Sequence, residues 1–126
     1  MTTNSQEQLV IRTVAMPADA NFNGDIFGGW LVSQMDLGGA IIARKAVSGR
    51  VVTISIDKMH FLQPVNVGDT VCIYAEKVHE GTTSVAFKIS AYVTRAGIYE
   101  REKVTEAIFT YVHIDERGRP KAFVKS

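Results

Sequence analysis

Asn21-Phe22-Asn23-Gly24-Asp25-Ile26-Phe27-Gly28-Gly29-Trp30 runs into Leu31-Val32-Ser33-Gln34-Met35-Asp36-Leu37-Gly38-Gly39-Ala40, and the reading of this stretch decides the architecture. Its first part, together with the preceding Pro17-Ala18-Asp19-Ala20, is a cluster of turn formers and reads as a long loop. From Ile26 to about Val47 the pattern changes: Phe27, Trp30, Leu31, Met35, Ile41 and Ile42 recur at mixed three- and four-residue spacings. Asp25 is a good N-cap, Arg44 and Lys45 lie in the last turn, and Gly49 is a stop. The pattern predicts one helix of about six turns. Asp36 is its only charge between Asp25 and Arg44, so the helix is expected to be buried on nearly all sides.

The rest of the chain supplies the wrapper. Leu9 to Met16 reads as a first strand. Val52, Ile54 and Ile56 alternate, but Met59 and Phe61 continue on the opposite parity, which predicts a bulge near Asp57-Lys58. Val71 to Val78 follows, and after a hairpin loop at His79-Glu80-Gly81-Thr82-Thr83 the residues Val85, Phe87, Ile89, Ala91 and Val93 alternate strictly. Val104 to Ile114 carries Ala107, Phe109 and Tyr111 on one face and Ile108 and Val112 on the other, the signature of a central strand. The expectation is a single α+β domain over residues 1–126, a long central helix wrapped by a curved antiparallel sheet. Its apolar faces outnumber what one copy can bury, which predicts a symmetric dimer.

Composition narrows the function classes. The chain has 126 residues, 46% of them apolar, enough for one core. Its formal charge of +1, with no basic run, argues against a nucleic-acid partner. Apolar stretches break well before the roughly 20 residues needed to span a bilayer, and Met1 to Gln8 lacks a signal-peptide core, so a soluble cytoplasmic protein is expected. The single cysteine, Cys72, reads as an inert strand thiol. His60, His79 and His113 never pair at metal-ligand spacing, so no metal site is expected.

Two anomalies mark chemistry. Glycine inside a helix costs about 1 kcal/mol relative to alanine, so Gly28, Gly29, Gly38 and Gly39 need a reason. Close packing suits Gly38-Gly39. Gly28-Gly29 sit in the first turn, where free N–H groups and the helix dipole favour negative charge, and bare glycines there would admit the oxyanion of a carbonyl under attack. Asp36 lies about two turns after Gly29 on the same face. A carboxylate among Met35, Leu37 and Ala40 is expected to be desolvated, which would raise its pKa towards a general-base range; the competing reading is a buried Asp satisfied by backbone donors. Asn21 and Asn23, by position alone, are turn residues. Phe27, Trp30 and Phe61 read either as an acyl pocket or as plain core.

The run Met16-Pro17 through Asn21, then Asn23 to Trp30 and Ser33-Gln34-Met35-Asp36, resembles the signature of YciA-type acyl-CoA thioesterases, which have the hotdog fold. Phe61-Leu62-Gln63-Pro64-Val65, Val67-Gly68-Asp69, Gly81-Thr82-Thr83-Ser84 and Thr105 to Thr110 are similar to later segments of that family, so the resemblance covers nearly everything from Arg12 to Val112. It implies a hydrolase of fatty-acid metabolism that releases free acid and coenzyme A (CoA), with no cofactor beyond the CoA of its substrate. It further implies active sites at the interfaces of a dimer whose sheets join into a larger one, with a hexamer as trimer of dimers the further assembly. By the same resemblance Asp36 is general base or nucleophile, Asn21 is its partner across the interface, and Gly29 is the backbone oxyanion donor, with Gly28 beside it. Gly81, Thr82, Thr83, Ser84 and Lys88 are the expected CoA contacts. Compared with longer members, the chain ends soon after Phe123, which leaves the order of assembly open.

Two rivals stay on the table. A hotdog dehydratase or hydratase would need a histidine near the helix or loop, and none lies between Met1 and Met59. A non-catalytic acyl-CoA sensor would leave Asp36 without a use.

Overall fold

In a computed structural model, which describes residues 7–95 and 100–124, the chain runs β1 (Gln8–Val14), a 3-10 turn (Pro17–Asp19), α1 (Gly28–Val47), β2 (Arg50–Asp57), β3 (Thr70–Glu80), β4 (Ser84–Thr94) and β5 (Glu102–Ile114). The five strands form one sheet in the order β1-β3-β4-β5-β2, with every neighbour antiparallel. The expected α+β arrangement of one long helix on an antiparallel sheet is present, and β5 is internal to the sheet as its two apolar faces required.

Alternation places the core. Val85, Phe87, Ile89, Ala91 and Val93 of β4 are all buried, as are Ala107, Phe109 and Tyr111 of β5, and they pack against Leu31, Met35, Ala43 and Val47 of α1. Burying a side chain such as Leu31 or Met35 contributes about 1.5–3 kcal/mol, so this one face of α1 holds the helix on the sheet. The opposite stripe is not covered within one chain: Leu37 and Ile41 are 54% and 43% exposed. The helix is therefore buried along one face of the single chain rather than on nearly all sides.

Three local expectations are corrected. The helix begins at Gly28, with Phe27 at its N-cap, not after a capping Asp25. The backbone at Asp25 and Ile26 is already committed to loop pairing: Asn21 N–H donates to Asp25 O at 2.6 Å and Ile26 N–H to Val65 O at 2.9 Å, so neither residue can turn helical. At the other end the left-handed residue is Ser48 (φ 53°), while Gly49 serves close approach, since a Cβ there would stand 2.3 Å from His113 Nε2. The bulge in β2 falls at Ile54 rather than at Asp57-Lys58, because Thr53 pairs with Tyr111 and Ser55 with Thr110. The parity change near residue 58 instead marks the strand's end, where Lys58 adopts φ 59°.

Gly38 and Gly39 are where α1 meets the sheet most closely. A Cβ on Gly38 would lie 2.7 Å from Val10 Cγ2, and one on Gly39 would lie 2.0 Å from the Tyr111 hydroxyl oxygen and 2.8 Å from Cζ. The packing reading of this glycine pair holds. The Tyr111 hydroxyl donates to the backbone oxygen of Asp36 (3.0 Å) and stands 3.1 Å from its Oδ1. Burial raises the phenol's pKa above its ordinary value, and the neighbouring Asp36 charge and the hydrogen bond to it raise it further.

Two outcomes follow for stability. Gly39→Ala is expected to lose about 1–3 kcal/mol through overpacking despite its better helix propensity, whereas Gly29→Ala, whose added Cβ meets nothing within 4 Å, is expected to be neutral or stabilising. Urea denaturation of both variants checks the contrast, and equal stabilities would contradict the contact. The second concerns pH. The folded phenol holds its proton more tightly than the unfolded one, so its contribution is complete below about pH 10 and is lost as pH rises above that. Stability measured from pH 9 to 11 should therefore fall less steeply in Tyr111→Phe than in the native protein, and parallel slopes would refute the assignment.

Candidate active site at the start of the long helix

The loop that leads into α1 is a set of backbone pairings, and it leaves the helix start bare. Phe27 N–H donates to Asp19 O at 2.9 Å, and Trp30 N–H and Leu31 N–H both turn back to Phe27 O. No side chain caps the helix, and among the described residues the N–H groups of Gly28 and Gly29 have no hydrogen-bond partner. Both glycines are exposed. Two free donors at the positive end of a 20-residue helix can receive a developing oxyanion.

Asp36 is half-buried within one chain, less enclosed than its apolar neighbours suggested. Its partners are hydroxyl groups rather than backbone donors. Thr53 Oγ1 donates to Oδ1 at 2.7 Å, and the Tyr111 hydroxyl lies 3.1 Å from the same atom. Thr53 and Tyr111 face each other directly across the β2–β5 ladder, which is why their hydroxyls converge on one carboxylate. Sequence reading missed both residues: Thr53 has no motif of its own between Val52 and Ile54, and Tyr111 reads as core, which it also is.

Asn21 performs the turn role its position suggests. Its Oδ1 accepts from Asn23 N–H at 2.8 Å and from Asp25 N–H at 3.2 Å. It also lines a cleft of about 450 Å³ together with Asp25, Phe27, Gly28 and Phe61, floored by Leu31, Val65 and Val104. Gly28 rests against the ring of Phe61, to which an added Cβ would stand 3.4 Å. The far wall is tied down by Leu62 N–H donating to Val104 O at 2.7 Å and by Arg95, which donates to Pro64 O at 2.9 Å and pairs with Glu102 at 2.5 Å. Phe27 and Phe61 line this cleft, while Trp30 packs against the core.

Not every expected residue comes to this place. Asp36 and Gly29 do not line the cleft that contains Asn21. Gly81 closes the β3–β4 turn by donating to Ser84 O at 2.8 Å, Thr82 O and Thr83 O accept from Phe123 N–H and His113 N–H, and none of the four loop residues 81–84 borders the cleft. Lys88 alternates with the buried Phe87 and Ile89, so it lies on the sheet face away from α1, where it pairs with Glu76 at 3.6 Å. Cys72 is a free, buried thiol on β3, 3.3 Å from Arg12 Nε. Among the described residues no three His, Cys, Asp or Glu side chains group as metal ligands would. No helix there is long and apolar enough to cross a membrane.

Comparison with known proteins places this geometry. A family model described as the thioesterase superfamily matches residues 23–96, from the loop through the end of β4. The acyl-CoA thioester hydrolase YciA of Escherichia coli K12 is 56% identical over 120 residues, covering 93% of this chain and 91% of its own. The YciA protein of Salmonella typhimurium is 53% identical over 124 residues, covering 96% and 93%. Among solved structures, the hexameric thioesterase y2039 from Yersinia pestis is 52% identical with a TM-score of 0.89, covering 94% of this chain and 96% of that one. An acyl-CoA hydrolase from Staphylococcus aureus, in complex with butyryl coenzyme A, coenzyme A and coenzyme A disulfide, is 26% identical with a TM-score of 0.85, covering 99% and 76%. By these matches the chain belongs to the thioesterase superfamily, among its YciA-type acyl-CoA thioester hydrolases of the hotdog fold.

Proposed function

We propose that the protein hydrolyses acyl-CoA thioesters to a free acid and CoA, in an active site shared between two copies of the chain. The observation that carries this reading is the pair of N–H groups at Gly28 and Gly29 that have no partner among the described residues, with an anchored carboxylate, Asp36, on the same helix. Asp36 removes a proton from water as the water oxygen attacks the thioester carbon. The carbonyl electrons move to an oxyanion held by Gly29 N–H, and collapse breaks the carbon–sulfur bond. The proton on Asp36 then goes to the departing CoA thiolate. Direct attack by Asp36 would give a mixed anhydride, which water opens to the same products. Neither route calls for a metal or redox cofactor.

Sharing between copies follows from what one chain leaves apart and what it leaves open. Asn21 and Asp36 do not meet in one cleft, whereas among the described residues β2 ends the sheet with a free edge and Ile54 is 56% exposed on it. Edge pairing of β2 with a second copy would cover Ile54 and the Leu37 stripe, join two sheets into one, and bring Asn21 of one copy towards Asp36 of the other. The Yersinia pestis relative is a hexamer, and we extend that assembly, as a trimer of dimers, to this chain. Gly81, Thr82, Thr83, Ser84 and Lys88 would then meet CoA only through another copy. We place the enzyme in the cytoplasm, where acyl-CoA is made and used.

CoA release from short, medium and aromatic acyl-CoA esters tests the reading. Native protein should release thiol, and Asp36→Asn, still folded and oligomeric, should lose at least about 100-fold in rate. Binding without hydrolysis by native protein would make the chain a sensor, and an unaffected Asp36→Asn would assign the base elsewhere. Ile54→Lys should yield a monomer by light scattering with activity near the Asp36→Asn level. A fully active monomer would disprove the shared site.

A further inference from the structure

Asp36 is held in an asymmetric way that the reaction scheme does not use. A carboxylate has two oxygens with about four lone-pair directions between them. Here Thr53 Oγ1 donates to Oδ1 at 2.7 Å, the single O–H of Tyr111 is shared between Oδ1 at 3.1 Å and the Asp36 backbone oxygen at 3.0 Å, and among the described residues Oδ2 has no partner. Satisfying a buried phenol would need only one acceptor, and the Asp36 backbone oxygen at 3.0 Å already provides it. The hydroxyl stands instead between that oxygen and Oδ1, touching the helix backbone and the side chain of one residue together. Gly39 makes this possible, because any Cβ there would occupy the place of the hydroxyl.

We propose that Tyr111 is a positioning residue for thioester hydrolysis: its hydroxyl, admitted by Gly39 and acting beside Thr53, pins Oδ1 of Asp36 so that Oδ2 is the oxygen presented to the reacting water or thioester. The proposal rests on the reading of Asp36 as the catalytic carboxylate. The two hydroxyls come from partner positions on the neighbouring strands β2 and β5, so two separate strands hold the one oxygen and limit rotation of the carboxylate about its Cβ–Cγ bond. Misplacement of a reacting group by about 1 Å can cost on the order of a hundredfold in rate, so a fixed rotation has kinetic value. Burial keeps the phenol protonated, and a neutral phenol donates wherever the carboxylate is ionised. The Tyr111 ring stacks on Phe109 and meets Phe87 edge-on, so a phenylalanine at this position keeps the packing and removes only the donor.

The test uses Tyr111→Phe, Asp36→Asn and their combination, assayed with whichever ester of the panel native protein hydrolyses fastest. Tyr111→Phe should lower kcat about 5- to 50-fold and leave KM within about twofold, the mark of an interaction that matters only in the transition state. In the Asp36→Asn background the same change should alter the residual rate by less than about twofold, because Tyr111 acts only through that carboxylate. A Tyr111→Phe enzyme with kcat within about twofold of native overturns the proposal while leaving Asp36 as the base. An equal loss with and without Asp36 overturns it too, by making Tyr111 a structural residue. Full activity in Asp36→Asn overturns both assignments, and so separates failure of the base from failure of its positioning.

Discussion

The tight approach of Gly39 of α1 to the Tyr111 hydroxyl of β5 fixes how the helix that carries Gly28, Gly29 and Asp36 lies on the sheet. Where α1 lies on the sheet fixes both where its N-terminus opens and where Asp36 points. A side chain at position 39 would have to lift the helix or push aside Tyr111, which is fully buried beside Phe87 and Phe109. Protein interiors are packed densely enough that such a shift cannot be absorbed locally. On the proposed reading, the register of one helix on one strand is thus a condition of the chemistry as much as of stability.

Two opposite electrostatic demands are met along the same helix. In the proposed reaction the first turn needs donors left free for an anion, and among the described residues it has them because the loop contributes backbone pairings up to Phe27 but no capping side chain. Two turns later an anionic side chain must be held, and there the sheet supplies neutral hydroxyls rather than a cation. A lysine or arginine in that position would bind the carboxylate as a fixed ion pair and compete with a substrate for it. Hydroxyls orient the group and leave its negative charge available.

The sequence makes some of this visible and hides the rest for physical reasons. The helix, the strict alternation of β4 and the two-faced β5 are legible because each is set by a repeat that burial imposes on many residues at once. The helix start is not, since Asp25 before an apolar run looks like a cap whether its backbone is helical or, as here, tied to Asn66 and Asn21. The bulge at Ile54 depends on pairing with β5, some 55 residues away in sequence, and no local pattern records it. Asp36 stands out because a lone charge in an apolar helix is costly, and Gly28-Gly29 stand out because glycine is. Thr53 and Tyr111 do not, because a threonine in a strand and a tyrosine in a core are what those environments ordinarily hold. Asn21, read from position as a turn former, does form the turn, and its place at the cleft comes only with the folded loop.

The placement of Thr53 joins assembly to chemistry. Thr53 belongs to β2, whose outer edge is unpaired among the described residues of one chain, and a free edge strand is among the less stable parts of a sheet. Ile54, the bulged residue beside it, is at the same time one of the most exposed apolar side chains. A second copy paired along β2 would order this edge from outside, and the first group to be stiffened would be the hydroxyl that donates to Asp36 Oδ1. Tyr111, held inside the core, needs no such help. In that arrangement the carboxylate would be steadied by one donor that folding alone fixes and by one that would be fixed fully only when two copies meet.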